Sequence, residues 1–372
     1  MAQLSERLQR LAPSATLAMS QKSAEMKAQG IDVINLSVGE PDFNTPDHIK
    51  EAAKKAVDDN YSRYSPVPGY PNLRQAIVNK LKRENALDYS TAEILVSNGA
   101  KQSVCNTIMA LINKGDEVII PAPYWVSYPQ MVKLAGGEPV IVEAGFEQNF
   151  KMTAQQLEAA ITPKTRLIIL CSPSNPTGSV YSKEELKHLA DVILSHENLF
   201  VLADEIYEHI NYVGKHESIA QFEGMKERSI IVNGVSKAYA MTGWRIGYIA
   251  APEWIVKGCN KLQGQYTSGP CSVSQMAALA AYETDQRCVE EMRQALSAAE
   301  TSSSNWPRRL TAWRLTSHKV PSISSLSAAT SSARPTATPQ STHPPTWHSI
   351  CWRKPTWPPL AAMPSATHSV SV

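Results

Sequence analysis

The chain has 372 residues, with 36 Lys+Arg against 34 Asp+Glu, 17 Gly, 25 Pro and 6 Cys. That length allows two domains and a substantial core, while the near-neutral balance excludes the basic stripe that would neutralise nucleic-acid phosphates. Apolar runs fall short of the roughly 20 residues of a membrane span, residues 1–11 lack a signal-peptide core, and the cysteines form no CxxC pair, so a reducing, cytoplasmic setting is expected.

In chain order, residues 1–47 read as an arm and a short entry segment. Leu4, Leu8 and Leu11 have helical spacing, and residues 33–36 are strand-like. Residues 48–296 read as a large domain in which short β-rich runs alternate with amphipathic stretches. Strands are predicted at 94–97, 117–120, 139–142, 167–171, 200–203, 230–233 and 246–250, and helices at 100–113 and 183–196. This alternation predicts an α/β protein with an open, mostly parallel seven-stranded sheet covered by helices on both faces. Ligands in such sheets bind at the carboxyl ends of the strands.

The composition breaks near residue 296. All 34 acidic residues and all 17 glycines lie in residues 1–300, which hold 29 basic residues and so carry −5; the remaining 72 carry +7. Those 72 also hold 10 Pro, 15 Ser, 10 Thr and 5 of the 8 Trp, without helical or strand period. Ser, Thr and Pro suggest a disordered tail, but such tails are poor in tryptophan. A shifted reading frame accounts for the mixture better: glycine codons begin GG, and slippage by one base turns them into NGG codons, which include those for Trp and Arg. The segment 297–372 is therefore a different kind of sequence from the part that precedes it.

Several segments carry chemistry. Gly234-Val-Ser-Lys237-Ala-Tyr-Ala-Met-Thr-Gly-Trp-Arg245-Ile-Gly247 sets a lysine and an arginine among small residues after a strand. The small residues let a bulky ligand approach the backbone, the lysine can form an imine, and the arginine can hold a phosphate. Ser97-Asn-Gly99-Ala100-Lys101-Gln102 runs from a strand into a helix, whose N-terminus suits an anion. Pro121-Ala-Pro-Tyr-Trp125-Val-Ser-Tyr128 and Ser172-Pro-Ser-Asn175-Pro176-Thr-Gly178 follow strands, and Asn175-Pro176 invites a cis bond. Val201-Leu-Ala-Asp204-Glu205-Ile-Tyr207 ends an apolar strand on an acid pair, where a buried carboxylate needs a partner or its pKa rises.

At full length the lysine segment resembles the signature of the class I pyridoxal-phosphate (PLP) aminotransferases. Leu36-Ser-Val-Gly39-Glu-Pro-Asp-Phe43 is similar to the N-terminal signature of their γ subgroup. Seven segments match in family order, and the resemblance runs to about residue 295. It implies fold type I, PLP as cofactor and ping-pong transamination. Lys237 would carry the cofactor as an imine and then move the substrate α-proton. Gly99, Ala100, Ser236 and Arg245 would lie about the phosphate, Trp125 on the pyridine face, Asn175 and Tyr207 at the phenolic oxygen, and Asp204 at the pyridine nitrogen. Tyr64, in Tyr61-Ser-Arg-Tyr64-Ser-Pro-Val-Pro-Gly69, resembles the tyrosine that reaches a partner's phosphate, which implies a homodimer.

Gly39 would lie beside the substrate carboxylate, with Trp125 and Asn175 also lining the substrate. Lys101 and Thr16 resemble the pair near the distal carboxylate in the γ-subgroup aspartate aminotransferases. L-Aspartate and 2-oxoglutarate are therefore the expected substrates, with prephenate, aromatic or alanine transamination and C–S β-elimination as alternatives on the same scaffold. The family also uses a C-terminal arginine in a strand resembling Arg-(Leu/Ile)-Ser-(Tyr/Phe)-Ala to grip the α-carboxylate. Arg314, Arg334 and Arg353 have the wrong neighbours, so the chain as written could also be a PLP-binding but inactive product.

Overall fold

A computed structural model of the chain describes residues 4–33 and 39–304, with two short strands beyond them. The arm carries α1 (Glu6–Gln9) and α2 (Ala15–Ala28), and α3 (Asp47–Asp58) and α4 (Pro71–Asn85) follow. The chain then runs β1 (Ile94–Asn98), α5 (Ala100–Leu111), β2 (Glu117–Ala122), α6 (Ser127–Ala135) and β3 (Glu138–Glu143). Next come α7 (Ala154–Ala160), β4 (Thr165–Cys171), α8 (Lys183–Ser195), β5 (Phe200–Asp204), β6 (Ser229–Gly234) and β7 (Ile246–Ala250). Helices α9 (Glu253–Tyr266), α10 (Ser272–Glu283) and α11 (Arg287–Ser304) complete this part, and β8 (Trp313–Leu315) pairs antiparallel with β9 (Leu326–Ala328). No helix among the described residues is long and apolar enough to cross a membrane.

Local sequence explains where helices start and stop. Ser182 caps α8 through a reciprocal pair: its hydroxyl accepts from Glu185 N at 3.2 Å, and Glu185 Oε2 accepts from Ser182 N at 2.7 Å. The buried face of α8 is Leu186, Leu189, Ala190 and Ile193, the spacing of one helical stripe. α4 opens on Pro71, where no intrahelical donor is lost, and closes on Ala86 in the left-handed region.

Seven strands form one sheet in the order β1-β7-β6-β5-β4-β2-β3, and only β7 runs antiparallel to its neighbours. Alternate residues of each strand face opposite layers. On one side Leu95, Ile169, Leu202, Ile230 and Ile249 pack with Val104 and Ile108 of α5 and Ile255 of α9. On the other, Val201, Ala203 and Ile168 meet α7 and α8, while Val96, Ile231 and Tyr248 meet α4 and α10. With both faces covered, the strands can be apolar throughout, which is why they stand out in the sequence.

All seven predicted strands are present, shifted by at most two residues at an end, and the helices at 100–113 and 183–196 end one or two residues early. The Leu4, Leu8 and Leu11 spacing yields only the single turn of α1; Leu4 and Leu8 are exposed, so no core contact extends it. Of the strand-like residues 33–36, all but Val33 lie outside the described residues. α11 continues to Ser304, past the composition break at 296. Apart from the end of α11, β8 and β9, the rest of 297–372 lies outside the described residues.

Leu202 is fully buried at the sheet centre, opposite Ile169 and Ile230. Leu202→Ala is expected to cost about 2–5 kcal/mol through lost burial and a residual cavity. Urea denaturation should show a lower midpoint with an unchanged slope.

Candidate active site

The insertion of β7 between β1 and β6 brings three chain segments to one end of the sheet. Asn98 pairs with Ile246 and Gly234 with Gly247, so the N-terminus of α5, the turn after β6 and Arg245 all meet there. Two glycines make the approach possible. A Cβ on Gly247 would lie 2.2 Å from Ala100 N, and one on Gly99 would lie 2.2 Å from Arg245 Nη2. Gly99 also has φ +79°, which L side chains rarely adopt. Arg245 itself is left-handed (φ +58°), a strained setting for a non-glycine residue. Its Nη1 donates to Thr242 O at 2.7 Å, which holds the guanidinium across the start of α5. The Ala100 and Lys101 N–H groups, at the start of α5 where no preceding turn can accept them, face the same place and attract an anion.

Asp204 ends β5 almost fully buried, paired in register with Cys171 and Val232. Burial pushes its pKa up to about 6, against two hydrogen bonds that favour the charged form. Tyr128 donates its hydroxyl to Asp204 Oδ2 at 2.6 Å, and Ile206 N donates to Oδ1 at 3.3 Å. Tyr207 follows on the next turn, and burial, with Cys171 and Asp204 nearby, holds its phenol neutral.

Lys237 lies in the turn after β6, half-buried. Burial lowers its pKa, as does Arg245, while Glu40 and Asp204 oppose the shift. Its Nζ donates to Gly39 O at 2.5 Å and stands 5.4 Å from the centre of the Tyr207 ring. The residue after Gly39, Glu40, accepts from Thr242 Oγ1 at 2.9 Å, so the 39–40 segment is anchored over the lysine turn. Ser236, next to Lys237, is buried.

Trp125 and Tyr128 meet edge to face at 5.3 Å, and Lys101 Nζ lies 5.0 Å from the Trp125 ring centre. Asn175 lines a small cavity with Cys171, Tyr124 and Tyr128, and the Asn175–Pro176 bond is cis, as expected. Tyr64 is 98 % exposed and lies outside this cluster. Thr16 lies in the first turn of α2.

Tyr128, in the first turn of α6, was not among the residues singled out in the sequence, because nothing local to it marks its partner. The signal was the buried acid itself, which requires a donor. Chemically, the cluster combines an anion pocket, an amine of lowered basicity and a buried carboxylate. Those groups suit a phosphate, an aldehyde and a basic ring nitrogen respectively.

The profile of the aminotransferase class I and II family matches residues 31–302. The chain is 52 % identical over 295 residues to an aspartate aminotransferase from Geobacillus stearothermophilus, covering 78 % of this chain and 75 % of that protein. It is 50 % identical over 297 residues to an aspartate/prephenate aminotransferase from Cereibacter sphaeroides, covering 79 % and 74 %. Among solved structures, the aspartate aminotransferase of Rhizobium meliloti superposes with a TM-score of 0.80 at 43 % identity, over 82 % of this chain and 77 % of that one. That of Thermus thermophilus with maleate gives 0.78 at 42 % identity, over 81 % and 79 %. The chain belongs to the class I and II aminotransferase family.

Because the folded-state pKa of Asp204 lies above its unfolded value, its protonated form favours folding. That contribution is complete below about pH 4 and is lost as pH rises through about 6. Asp204→Asn, neutral at every pH, should therefore stabilise the cofactor-free protein by about 1–3 kcal/mol at pH 7.5. The gain should shrink towards pH 4.5, as urea denaturation at the two pH values would measure.

Proposed function

We propose that this chain is a PLP-dependent aminotransferase that moves the amino group between L-aspartate and 2-oxoglutarate, giving oxaloacetate and L-glutamate. The observation that carries the reading is the convergence of Lys237, Asp204 and the Gly99–Arg245 anion pocket at one end of the sheet. The residues fit PLP. The glycines let the Arg245 guanidinium and the β7 backbone close up on the α5 N-terminus, so the donors gathered there are cationic or N–H groups that suit a phosphate. Gly99, Ala100, Ser236 and Arg245 would hold the phosphate, Asp204 the pyridine nitrogen, Asn175 and Tyr207 the phenolic oxygen, and Trp125 one ring face. Bound there, PLP supplies an electron-withdrawing ring that stabilises negative charge at the substrate α-carbon.

The chain's own groups do the rest. Burial keeps Lys237 less basic than a free lysine, so its Nζ can serve as base towards the substrate α-proton near neutral pH. The Gly39 carbonyl, already 2.5 Å from that Nζ, fixes where the amine points. Tyr128 holds Asp204 oriented and favours its charged form, which in turn keeps a ring nitrogen protonated. Lys101, with Thr16, would meet the distal carboxylate of a dicarboxylic substrate, and the maleate named with the Thermus thermophilus structure is itself a dicarboxylate. Exposed Tyr64 would reach the phosphate of a second copy, which makes the working unit a homodimer, in a cytoplasmic setting. The chain divides into a 1–47 arm, a 48–296 cofactor domain and the 297–372 segment.

A second reading has the chain as written binding PLP without turnover. It is favoured by the composition break and by a family match that stops at residue 302 while the chain runs to 372. Prephenate deserves assay as a second acceptor, because the Cereibacter sphaeroides relative is named for both substrates.

Lys237→Ala should abolish covalent PLP, read as loss of the borohydride-fixed adduct in the intact mass. Normal fixation in that variant would refute the assignment. Reading the coding DNA after codon 296 in the other frames should reveal a continuation containing Gly, Glu and the Arg-(Leu/Ile)-Ser-(Tyr/Phe)-Ala strand. A chain carrying that continuation should transaminate aspartate with 2-oxoglutarate, whereas keto-acid-independent release of pyruvate and ammonia from cysteine would indicate β-elimination.

A further inference from the structure

Next to the Asp204–Tyr207 turn lies a buried ionic cluster that the reaction described above does not use. Lys80, in the middle of α4, has a side chain only 1 % exposed, and its ammonium contacts Glu208, 4 % exposed. Glu208 accepts from Asn85 Nδ2 at 2.9 Å and from Asn233 Nδ2 at 2.8 Å, and Lys80 donates to Asn85 Oδ1 at 2.9 Å. Asn233 in turn accepts from Gly234 N through its Oδ1 at 2.7 Å.

The positions matter more than the number of bonds. Glu208 closes the turn that begins at Asp204 and carries Tyr207, its N–H bonding Glu205 O at 3.0 Å. The other end of that turn is tied to the same strand, because Glu205 N donates to Val232 O at 2.9 Å. Asn233 and Gly234 end β6, just before the Lys237 turn. One carboxylate therefore joins the segment bearing Asp204 and Tyr207 to the segment bearing Lys237, and one ammonium anchors both to α4. Burial alone would raise the pKa of Glu208, but Lys80, with His209 and His216, overrides it and keeps the carboxylate charged. A buried pair is a costly way to gain stability, since apolar residues of similar volume commonly serve as well.

We propose that Lys80, Glu208 and Asn233 are positioning residues that set the spacing between the Asp204–Tyr207 turn and the Lys237 turn. The inference rests on the PLP reading of the site. None of the three is expected to touch cofactor or substrate.

The test uses the full chain in two variants, Lys80→Met combined with Glu208→Met, and Asn233→Ala. The double variant removes both charges together, so no uncompensated buried ion remains. PLP affinity is measured by titration, the orientation of the bound cofactor by its induced visible circular dichroism, and folding by far-ultraviolet circular dichroism and melting of the cofactor-free protein. Both variants should keep the far-ultraviolet spectrum, bind PLP about tenfold more weakly and show an altered visible band. Wild-type affinity and visible band in the variants, even with earlier melting, would make the cluster purely structural and overturn the proposal. Should the double variant not fold, Asn233→Ala, which leaves the ion pair intact, decides by the same two measures. A wild-type chain that binds no PLP refutes the functional reading and this inference with it; wild-type binding alongside unaltered variants refutes this inference alone.

Discussion

The contact between the backbone of Gly247 and the start of α5 governs the rest of the site. Sheet strands and a helix N-terminus normally stand apart by the width of a side chain. Here a Cβ on either Gly99 or Gly247 would collide with what faces it, so the absence of side chains is what lets Arg245 and β7 close on the start of the helix. The left-handed backbone at Arg245 follows from the same constraint. The chain must enter β7 immediately after the guanidinium has been turned across the helix, and the sheet pairing on both sides of β7 holds that strained residue in place.

Two ionisable groups sit opposed in the space so defined. Burial drives Asp204 towards its acid form and Lys237 towards its free-amine form, so each is held away from the charge it carries in water. Tyr128 and the Ile206 N–H pull Asp204 back, and Glu40 and Asp204 pull Lys237 back. A cationic ring nitrogen beside Asp204 would relieve the first imbalance, and an imine at Lys237 would relieve the second. The site is thus electrostatically more comfortable with a cofactor than without one.

Much of this was legible in the sequence, for identifiable reasons. Strands buried on both faces become apolar runs, so β4, β5 and β6 could be located almost to the residue. Loops that follow such strands have little freedom in where they emerge, so the lysine, aspartate and asparagine segments could be assigned to one end of the sheet in advance. Contacts that depend on tertiary pairing could not be seen: Tyr128 on Asp204 and Lys80 on Glu208 join residues distant in sequence whose types, taken singly, are ordinary. The spacing of Leu4 and Leu8 is helical, yet both are exposed and the helix there is a single turn, because burial, not spacing alone, extends a helix. The composition break marked a change in the chain, yet α11 crosses it and runs on to Ser304, since Ala and Ser in its last turns are compatible with a helix already begun.

The place of β7 also bears on how the molecule comes into being. β1 lies at the edge of the sheet with β7 as its one strand neighbour, and β7 is the last of the seven to be synthesised. Until residue 250 has left the ribosome, β1 has no strand to pair with, and the start of α5 lacks Arg245 and Gly247 beside it. A ligand held at Arg245 would therefore engage only after the sheet has closed, once the N-terminal two-thirds of the chain has been made.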